Sequence, residues 1–439
     1  MELENGLPFK FYFENIDKFG RILPNNLSKD ELEAYNMVCD KDYDWDIFTR
    51  DGNSKKFIGP FVKAYISKRK LETTNLDDDN LVYVCESYTP TPYYNTQFID
   101  NLSDGVLGKL KNDKIKVIFN WFGEPLYDEY LNQHINKICK ENDINTSNFF
   151  ILTSANNIKN TSNINYISDH FFLENCANTL KILSNNKLFK SSEFDFITEI
   201  VDHSIFQTKK TKHFLSLNRH FDRPHRYALG LFLEKYNLWD KGNFSFLVCE
   251  SPRVEGGFIE TLSNEDTTEY LRYNQSFWNR IPMELDTKFL SKNTGMSHFR
   301  TSEVYYKKTY SESAINIVTE TTFKNNCVFL SEKTFHPVIN LQPFIVFSSN
   351  GHLKTLRDLG FKTFSPFINE EYDDESNSHK RFKMVCDEIL RLSKMNMDEI
   401  NDLLFELKNI CIYNRNHLLS FTKYDVFENS LQKIKKYGI

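Results

Sequence analysis

The sequence predicts an α/β protein with two domains, each built on a parallel β-sheet. The chain has 439 residues, which exceeds the size of one ordinary hydrophobic core, so two domains are expected. From about residue 80, short apolar segments of strand length alternate with segments of helical periodicity, a pattern typical of parallel sheets covered by helices. Polar residues follow several of these apolar segments. In open α/β sheets, ligands bind beyond the carboxyl ends of the strands.

The first domain is predicted to comprise residues 1–205. Its predicted strands are Leu81–Cys85, Ile115–Asn120, Phe149–Thr153 and Asn165–Ile167. A helical pattern of apolar residues covers Tyr127–Cys139. The strand pattern fades in the polar segment between Leu180 and Lys212, so the domain boundary is expected there.

Glu124 is a candidate general base in the first domain. It follows the predicted strand Ile115–Asn120 in a turn, so it is expected at the carboxyl end of the sheet. Apolar neighbours such as Trp121 would raise its pKa toward the working pH of a base. A surface glutamate in a turn explains the same pattern. Asp169 and His170, which follow a shorter strand, form a second candidate base.

The second domain is predicted to comprise residues 206–415, and residues 416–439 are expected to form a last helix. The predicted strands are His213–Leu217, Phe244–Cys249, Ala314–Val318, Pro343–Phe347 and Phe361–Phe364. Helical patterns follow the first strand, cover His352–Leu359 and form three further segments toward the C-terminus.

A basic turn follows the first strand of the second domain. Pro224 suits the first turn of a helix, with Asp222 or Arg223 at the cap position. The planar guanidinium group suits bidentate contacts with phosphate. The candidate phosphate ligands are Arg219, Arg223 and Arg226. Alternatively, this turn forms ion pairs with acidic stretches of the protein.

A second polar cluster lies between two later strands of the same domain. Glu320 follows one strand, and Ser331 is a predicted N-cap of a helix whose first turn contains Glu332 and Lys333. The N–H groups and partial positive charge of a helix N-terminus suit an anion such as a diphosphate. Ordinary capping chemistry is the alternative explanation for serine followed by glutamate.

The residues from Glu320 to Val346 resemble the donor-binding signature of the alpha-1,3-fucosyltransferases. In that family a Glu-Asn pair ends one strand, a Tyr-x-Thr-Glu-Lys string opens the next helix, and an apolar strand with Val-Pro-Val follows. This chain has Glu320-Thr321, then Phe329-Leu330-Ser331-Glu332-Lys333, then Gln342-Pro343-Phe344-Ile345-Val346. It departs from the family at Thr321, where the family has asparagine, and at Phe329, where the family has tyrosine. In its strongest form the resemblance covers about residues 212–365.

The resemblance implies a GT-B fold, in which two Rossmann-like domains with parallel sheets face each other across a cleft. It also implies a nucleoside-diphosphate sugar as donor and a glycan or glycoconjugate as acceptor. Glycosyltransferases of this kind begin the second domain with a strand ending in asparagine and basic residues that touch the diphosphate, which adds Asn218 to the candidate residues. The family's first-domain glutamate base would be Glu124, and the C-terminal helix would return to the first domain.

These assignments predict a single displacement with inversion at the anomeric carbon. Glu124 would take the proton of the acceptor hydroxyl, while Arg219, Arg226 and Lys333 neutralise the leaving nucleoside diphosphate. The other donor-binding assignments are Glu332 for the ribose or a sugar hydroxyl, Glu320 for the sugar or its developing positive charge, and Asn218, Arg223, Thr321 and Ser331. Because cationic side chains are present, no metal cofactor is expected.

Composition and motifs argue against several other functions. The net charge of −6 argues against a broad basic surface for duplex nucleic acid. The eight cysteines are spread singly, which argues against a zinc site and indicates a reducing compartment. The sequence lacks a signal-peptide pattern and a run of about 20 apolar residues, so a soluble cytoplasmic protein is expected. Dinucleotide, Walker and Gly-x-Ser-x-Gly motifs are also missing from the sequence.

Several charged stretches are interpreted as solvated loops. Asp40–Asp46 alternates carboxylates, as a calcium loop or the Asp-x-Asp metal motif of the other major glycosyltransferase architecture would. Trp45 occupies the position where a calcium loop needs glycine, and an Asp-x-Asp motif alone is short and frequent. Residues 77–79 and 373–375 are acidic in the same way, and the basic run Lys209–Lys212 is also expected to be solvated.

Two alternatives from other classes stay open. A non-catalytic sugar-nucleotide or glycan-binding module would bind the donor without turnover. A DNA-modifying glycosyltransferase acting on a hydroxylated base would need a basic groove and would bind in a strongly salt-dependent way. The nucleotide base, the sugar, the acceptor and the oligomeric state stay open as well.

Overall fold

Parallel sheets form the framework of the chain in the computed structural model. The structure describes residues 10–12, 15–16, 22–23, 81–86, 104–121, 135–137, 139–156, 158, 163–184, 201–218, 221, 223–246, 273–283, 307–323, 327–424 and 426–437. Two units are distinguished by their internal contacts: residues 1–171 with 425–439, and residues 172–424. Their limits differ from the predicted domains 1–205, 206–415 and 416–439, whose boundaries stay predictions.

The secondary structure of the described residues has these bounds. The strands are β1 (Lys10–Tyr12), β2 (Asn15–Ile16), β3 (Ile22–Leu23), β4 (Leu81–Glu86), β5 (Ile115–Trp121), β6 (Phe149–Thr153), β7 (Ala155–Asn156), β8 (Asn165–Ser168), β9 (Lys212–Asn218), β10 (Gly242–Phe246), β11 (Ser313–Thr319), β12 (Val328–Phe329) and β13 (Phe344–Phe347). The helices are α1 (Asp104–Lys111), α2 (Phe171–Ser184), α3 (Pro224–Lys235), α4 (Asn274–Trp278), α5 (Lys307–Glu312), α6 (Glu332–Ile339), α7 (His352–Asp358), α8 (Ser378–Ser393), α9 (Met397–Ser420) and α10 (Val426–Lys435).

The sheet of the first unit has five parallel strands in the order β1-β4-β5-β6-β8. Every residue of β6 is buried, as expected for an inner strand of a parallel sheet. The strands predicted at 81–85, 115–120, 149–153 and 165–167 are confirmed, each to within one residue at either end. The predicted helix Tyr127–Cys139 lies largely outside the described residues.

The sheet of the second unit has four parallel strands in the order β10-β9-β11-β13. Strands β11 and β13 are buried along their whole length, which explains their continuous apolar sequences. Because the strands are parallel, the carboxyl ends of β9, β11 and β13 lie along one edge of the sheet. The α/β class predicted from the sequence is therefore confirmed for both units.

Aromatic packing fixes α3 against the sheet of the second unit. Phe277 lies edge-on to Phe246 at a centroid distance of 5.4 Å and stacks against Trp239 at 6.1 Å. The ring also approaches Gly230 of α3 so closely that an added Cβ atom would lie 2.4 Å from Phe277 Cζ. Glycine at this position therefore lets the helix seat against the ring.

The predicted strand Phe361–Phe364 is wrong, because this segment is irregular. Phe361 packs against Phe335 and Phe364 against Phe344, so the apolar pattern reflects burial alone. A side chain takes the place of the hydrogen bonds that a neighbouring strand would make. Asn414 Oδ1 accepts from the Lys362 N–H, and Asn414 Nδ2 donates to the Lys362 carbonyl, both at 2.8 Å.

Among the residues that the structure describes, no helix has the length and apolar character needed to cross a membrane.

Candidate functional site

The carboxylate of Glu320 lies at the carboxyl end of β11 and has no exposed surface. Its Oε1 accepts from the Ser331 N–H at 3.0 Å and from the hydroxyl of Thr334. Its Oε2 accepts from Ser331 Oγ at 2.6 Å and from the Thr321 N–H at 3.1 Å. Ser331 and Thr334 belong to the start of α6, so the carboxylate occupies the positive end of that helix.

Ser331 is the N-cap of α6, as the sequence predicts. Its backbone is extended, with φ −92° and ψ 179°, and its Oγ accepts from the Lys333 N–H at 3.3 Å. The same hydroxyl donates to Glu320, so it links the cap to the buried carboxylate. The N–H groups of Ser331, Lys333 and Thr334 at the start of α6 therefore have partners within the protein.

The start of α3 contacts the backbone of the same strand end. Arg223 is the N-cap and Pro224 the first residue of the helix, as predicted. The buried His225 donates from Nε2 to the Glu320 carbonyl at 2.7 Å, and Arg226 Nη2 donates to the Thr319 carbonyl at 3.0 Å. The first turns of α3 and α6 thus meet at the end of β11.

Burial keeps the His225 ring neutral. Desolvation, together with the nearby charge of Arg226, lowers the pKa of His225 well below its ordinary value of 6.5, although the hydrogen bond to Glu320 opposes the shift. Because the partner of Nε2 is a carbonyl oxygen, the neutral ring carries its proton on Nε2.

Asn218 joins the same network from the end of β9. Its Oδ1 accepts from the Thr319 hydroxyl at 2.6 Å, and its Nδ2 donates to Ser216 Oγ at 3.0 Å. The side chain is fully buried, so it ties β9 to β11 just below the edge of the sheet. The sequence placed Asn218 and Arg226 at one strand end and Glu320 and Ser331 in a second cluster, and the structure joins the two groups in one hydrogen-bond network.

Glu332 and Lys333 lie at this edge of the sheet and are partly exposed to solvent. Their side chains pair at 2.5 Å and are 18% and 28% exposed. Burial opposes ionisation of Glu332, but the charges of Lys333 and His336 and the hydrogen bond from Lys333 lower its pKa overall. Arg223 and Thr321 are also partly exposed. Arg219 and Glu124 lie outside the described residues.

Two buried residues near this edge of the sheet, His352 and Asp373, were not predicted as part of the site. The hydroxyl of Thr334 lies 3.0 Å from Nε2 of the buried His352, at the start of α7. Asp373, expected in a solvated loop, is buried instead, and its two oxygens accept from the Leu353 and Lys354 N–H groups at 2.8 Å. This interpretation of residue 373 was wrong because the helix it caps lies about 20 residues earlier in the chain, where no local pattern connects them.

Asp169 and His170 lie at the end of β8 in the first unit. The buried Asp169 accepts from Lys433 Nζ of α10 at 2.9 Å and from the His170 N–H at 2.8 Å. Burial lowers the pKa of His170, and the charge of Asp169 partly opposes this shift. A largely neutral imidazole at this strand end can accept a proton, so His170 keeps its place as a second candidate base.

Within the described part of the chain, no three His, Cys, Asp or Glu side chains are grouped in a way that could hold a metal ion. The acidic stretch Asp40–Asp46 lies outside that part.

Replacing Glu320 with glutamine is expected to destabilise the protein strongly. The amide group would place a donor against the N–H and O–H donors of Ser331, Thr321 and Thr334, so Glu320→Gln should lower the free energy of unfolding by about 1.5–3 kcal/mol. The matched control is Glu332→Gln, whose partly exposed ion pair should cost less than about 1 kcal/mol. Urea unfolding followed by circular dichroism measures both, and equal losses would contradict the assigned role of Glu320.

The neutral state of His225 predicts a specific loss of stability in acid. Below pH 6.5 the unfolded chain binds a proton on this residue that the folded chain does not, because the folded-state pKa is lowered. As the pH falls from 6.5 to 5, this group alone should reduce stability with a slope that rises from about 0.7 toward about 1.4 kcal/mol per pH unit. His225→Gln keeps an N–H donor and should reduce the pH slope of urea-unfolding stability by that amount. Identical slopes would mean that the folded protein protonates His225.

No protein-family model and no curated protein sequence matches the chain. An α,α-trehalose-phosphate synthase (UDP-forming) from Burkholderia vietnamiensis is 11% identical over 93% of this chain and 79% of its own, with a TM-score of 0.36. The apo structure of OtsA is 12% identical over 96% of this chain and 92% of its own, with a TM-score of 0.35. The N-terminal domain of Candida albicans trehalose-6-phosphate phosphatase is 10% identical over 94% and 77%, with a TM-score of 0.33. Likenesses this weak assign neither a family nor an activity to this chain.

Proposed function

We propose that the chain is a GT-B glycosyltransferase that moves a sugar from a nucleoside-diphosphate sugar to a hydroxyl group of a glycan or glycoconjugate, with inversion and without a metal. The observation that carries this proposal is the meeting of the first turns of α3 and α6 at Glu320. A helix N-terminus at the carboxyl edge of a parallel sheet, with basic side chains beside it, suits a diphosphate, and α3 provides one, whereas the Glu320 carboxylate already occupies the start of α6.

The diphosphate is assigned to the start of α3. The N-cap Arg223 makes no side-chain capping hydrogen bond, whereas the start of α6 is capped by Ser331 and Glu320. Arg223 and Lys333 are partly exposed and supply positive charge. Arg219, expected from the sequence to join them, completes the proposed phosphate site.

The two carboxylates have different proposed roles. Glu332 retains exposed surface and is assigned to a hydroxyl of the ribose or of the donor sugar. Glu320 has none, so in this proposal it acts by holding the start of α6 rather than by touching the sugar. This differs from the direct contact that the sequence favoured. Asn218 and Arg226 likewise act by fixing the strand end.

The proposed reaction is one displacement at the anomeric carbon. The acceptor oxygen attacks that carbon, the bond to the diphosphate oxygen breaks, and its electron pair leaves with the nucleoside diphosphate. Glu124 takes the acceptor proton, and the cationic side chains stabilise the leaving group in place of a metal ion.

Nucleotide binding is the direct test. A thermal-shift screen of GDP, UDP, CDP, ADP and their common sugar conjugates, each with EDTA or manganese, should show one base that stabilises the protein in EDTA. Arg223→Ala and Lys333→Ala should each weaken that nucleotide by about 10- to 100-fold in calorimetry, because each removes a charge-assisted contact.

The control for this test is Lys394→Ala. Lys394 is exposed beside Met395, whose carbonyl is hydrogen-bonded to His213 near the amino end of β9, so its removal should leave binding unchanged. A shift that needs manganese would contradict the metal-free mechanism. No shift with any nucleotide would overturn the proposed function, and binding without turnover would favour a non-catalytic module.

Glu124→Gln tests the assignment of the base. Donor affinity should stay at the wild-type value, while release of nucleoside diphosphate in the presence of a panel of glycan acceptors should fall by about 10²- to 10⁴-fold. His170→Asn is the matched comparison, because His170 is the second candidate. A loss confined to His170→Asn would move the base to the end of β8.

A further inference from the structure

A cluster of aromatic side chains lies at the carboxyl edge of the second sheet, where β9 and β10 end. Phe246 is the last residue of β10 and pairs with Asn218, the last residue of β9. Phe221, which follows β9, lies 6.3 Å from Phe246 between ring centroids. Phe277 of α4 lies edge-on to both rings, at 5.9 and 5.4 Å. All three phenylalanines are fully buried, so they form a rigid apolar layer at this edge.

Trp278 packs on this layer and is partly exposed. Its ring lies edge-on to Phe221 at 5.4 Å. Its indole N–H binds the hydroxyl of Tyr227, and this hydrogen bond opposes the rise in the pKa of Tyr227 that burial causes. The Tyr227 hydroxyl in turn donates to Asn274 Oδ1. Because Tyr227 lies one turn after the N-cap Arg223, the indole is held beside the start of α3.

The faces of the indole are not stacked against another ring within the described part of the chain. Phe221, Tyr227 and Phe277 meet the Trp278 ring at 62°, 47° and 50°. By contrast, Trp239 and Phe277 stack nearly parallel, at 10°. The polar N–H of Trp278 already has a partner, so the exposed part of the ring offers a flat, apolar surface.

The two sides of α3 differ in chemistry. The sheet order is β10-β9-β11-β13, so α3, which follows β9, begins between the ends of β10 and β11. On the β11 side, Arg226 binds the Thr319 carbonyl, and the partly exposed Glu332 and Lys333 provide polar groups suited to sugar hydroxyls. On the β10 side, Trp278 provides an aromatic surface suited to a nucleobase.

We propose that Trp278 is the surface on which the base of the nucleotide stacks when its diphosphate binds at the start of α3. This inference rests on the proposed function and adds a direction to the bound donor, with the base toward β10 and the sugar toward β11. Every base has a flat π surface, so stacking on Trp278 supplies affinity without choosing between bases.

Titration of the full chain with GDP, UDP, CDP and ADP tests the proposal, by calorimetry and by tryptophan fluorescence. Trp278→Leu removes the stacking surface and should weaken the nucleotide that binds by about 5- to 150-fold. Trp278→Phe keeps a smaller ring, so it should lose less affinity, and the quenching of emission that the bound base causes in the wild type should disappear. Tyr236→Leu is the matched control, because Tyr236 is 39% exposed at the other end of α3 and should leave binding unchanged.

The outcomes distinguish this inference from the proposed function. Unchanged affinity in Trp278→Leu, or quenching that persists in Trp278→Phe, would overturn the stacking assignment and leave the proposed function standing. A loss of affinity confined to the sugar conjugates would also overturn it, because Trp278 would then contact the sugar. Absence of nucleotide binding in the wild type would overturn both. If circular dichroism shows that Trp278→Leu does not fold, the quenching in Trp278→Phe decides.

Discussion

The second unit depends on the burial of one carboxylate, that of Glu320. A charge taken out of water is costly unless hydrogen bonds and partial charges replace its hydration. Here the start of α6 supplies them, through the N–H and hydroxyl of Ser331 and the hydroxyl of Thr334. The carbonyl of the same glutamate accepts from His225 of α3. One residue therefore fixes the starts of two helices relative to the end of β11.

Neighbouring elements of the edge are held by the same kind of interaction. Asp373 caps α7 from a distant part of the chain, as Glu320 caps α6. Arg381 shows the converse arrangement, because its buried guanidinium donates to the carbonyls of Ser348, Phe323 and Glu375 at the loops after β11 and β13 and before α8. Because internal charges already order the loops at this edge, a ligand that binds there causes little further loss of backbone conformational entropy.

The sequence predicts the strands better than the roles of the charged residues. Apolar runs identify the buried strands, and a serine before a helical pattern identifies the cap Ser331. The role of Glu320 depends on donors 11 and 14 residues further along the chain, which no local pattern specifies. Lys209 and Lys210 show the same limit, because adjacent lysines that were both expected in solvent have opposite environments. Glu124 and Arg219 stay predictions.

The chain differs from the fucosyltransferase pattern at Phe329 and Thr321, and these two residues differ in burial. Phe329 is buried and lies edge-on to Phe172 at 5.8 Å. The hydroxyl group of a tyrosine at this position would therefore contact the interior of the unit rather than a ligand. Thr321 is partly exposed, and its N–H binds the Glu320 carboxylate. Under the proposed function, Thr321 can therefore reach a donor whereas Phe329 cannot. Differences in the sugar or base bound at this edge would follow from Thr321, together with the exposed pair Glu332 and Lys333.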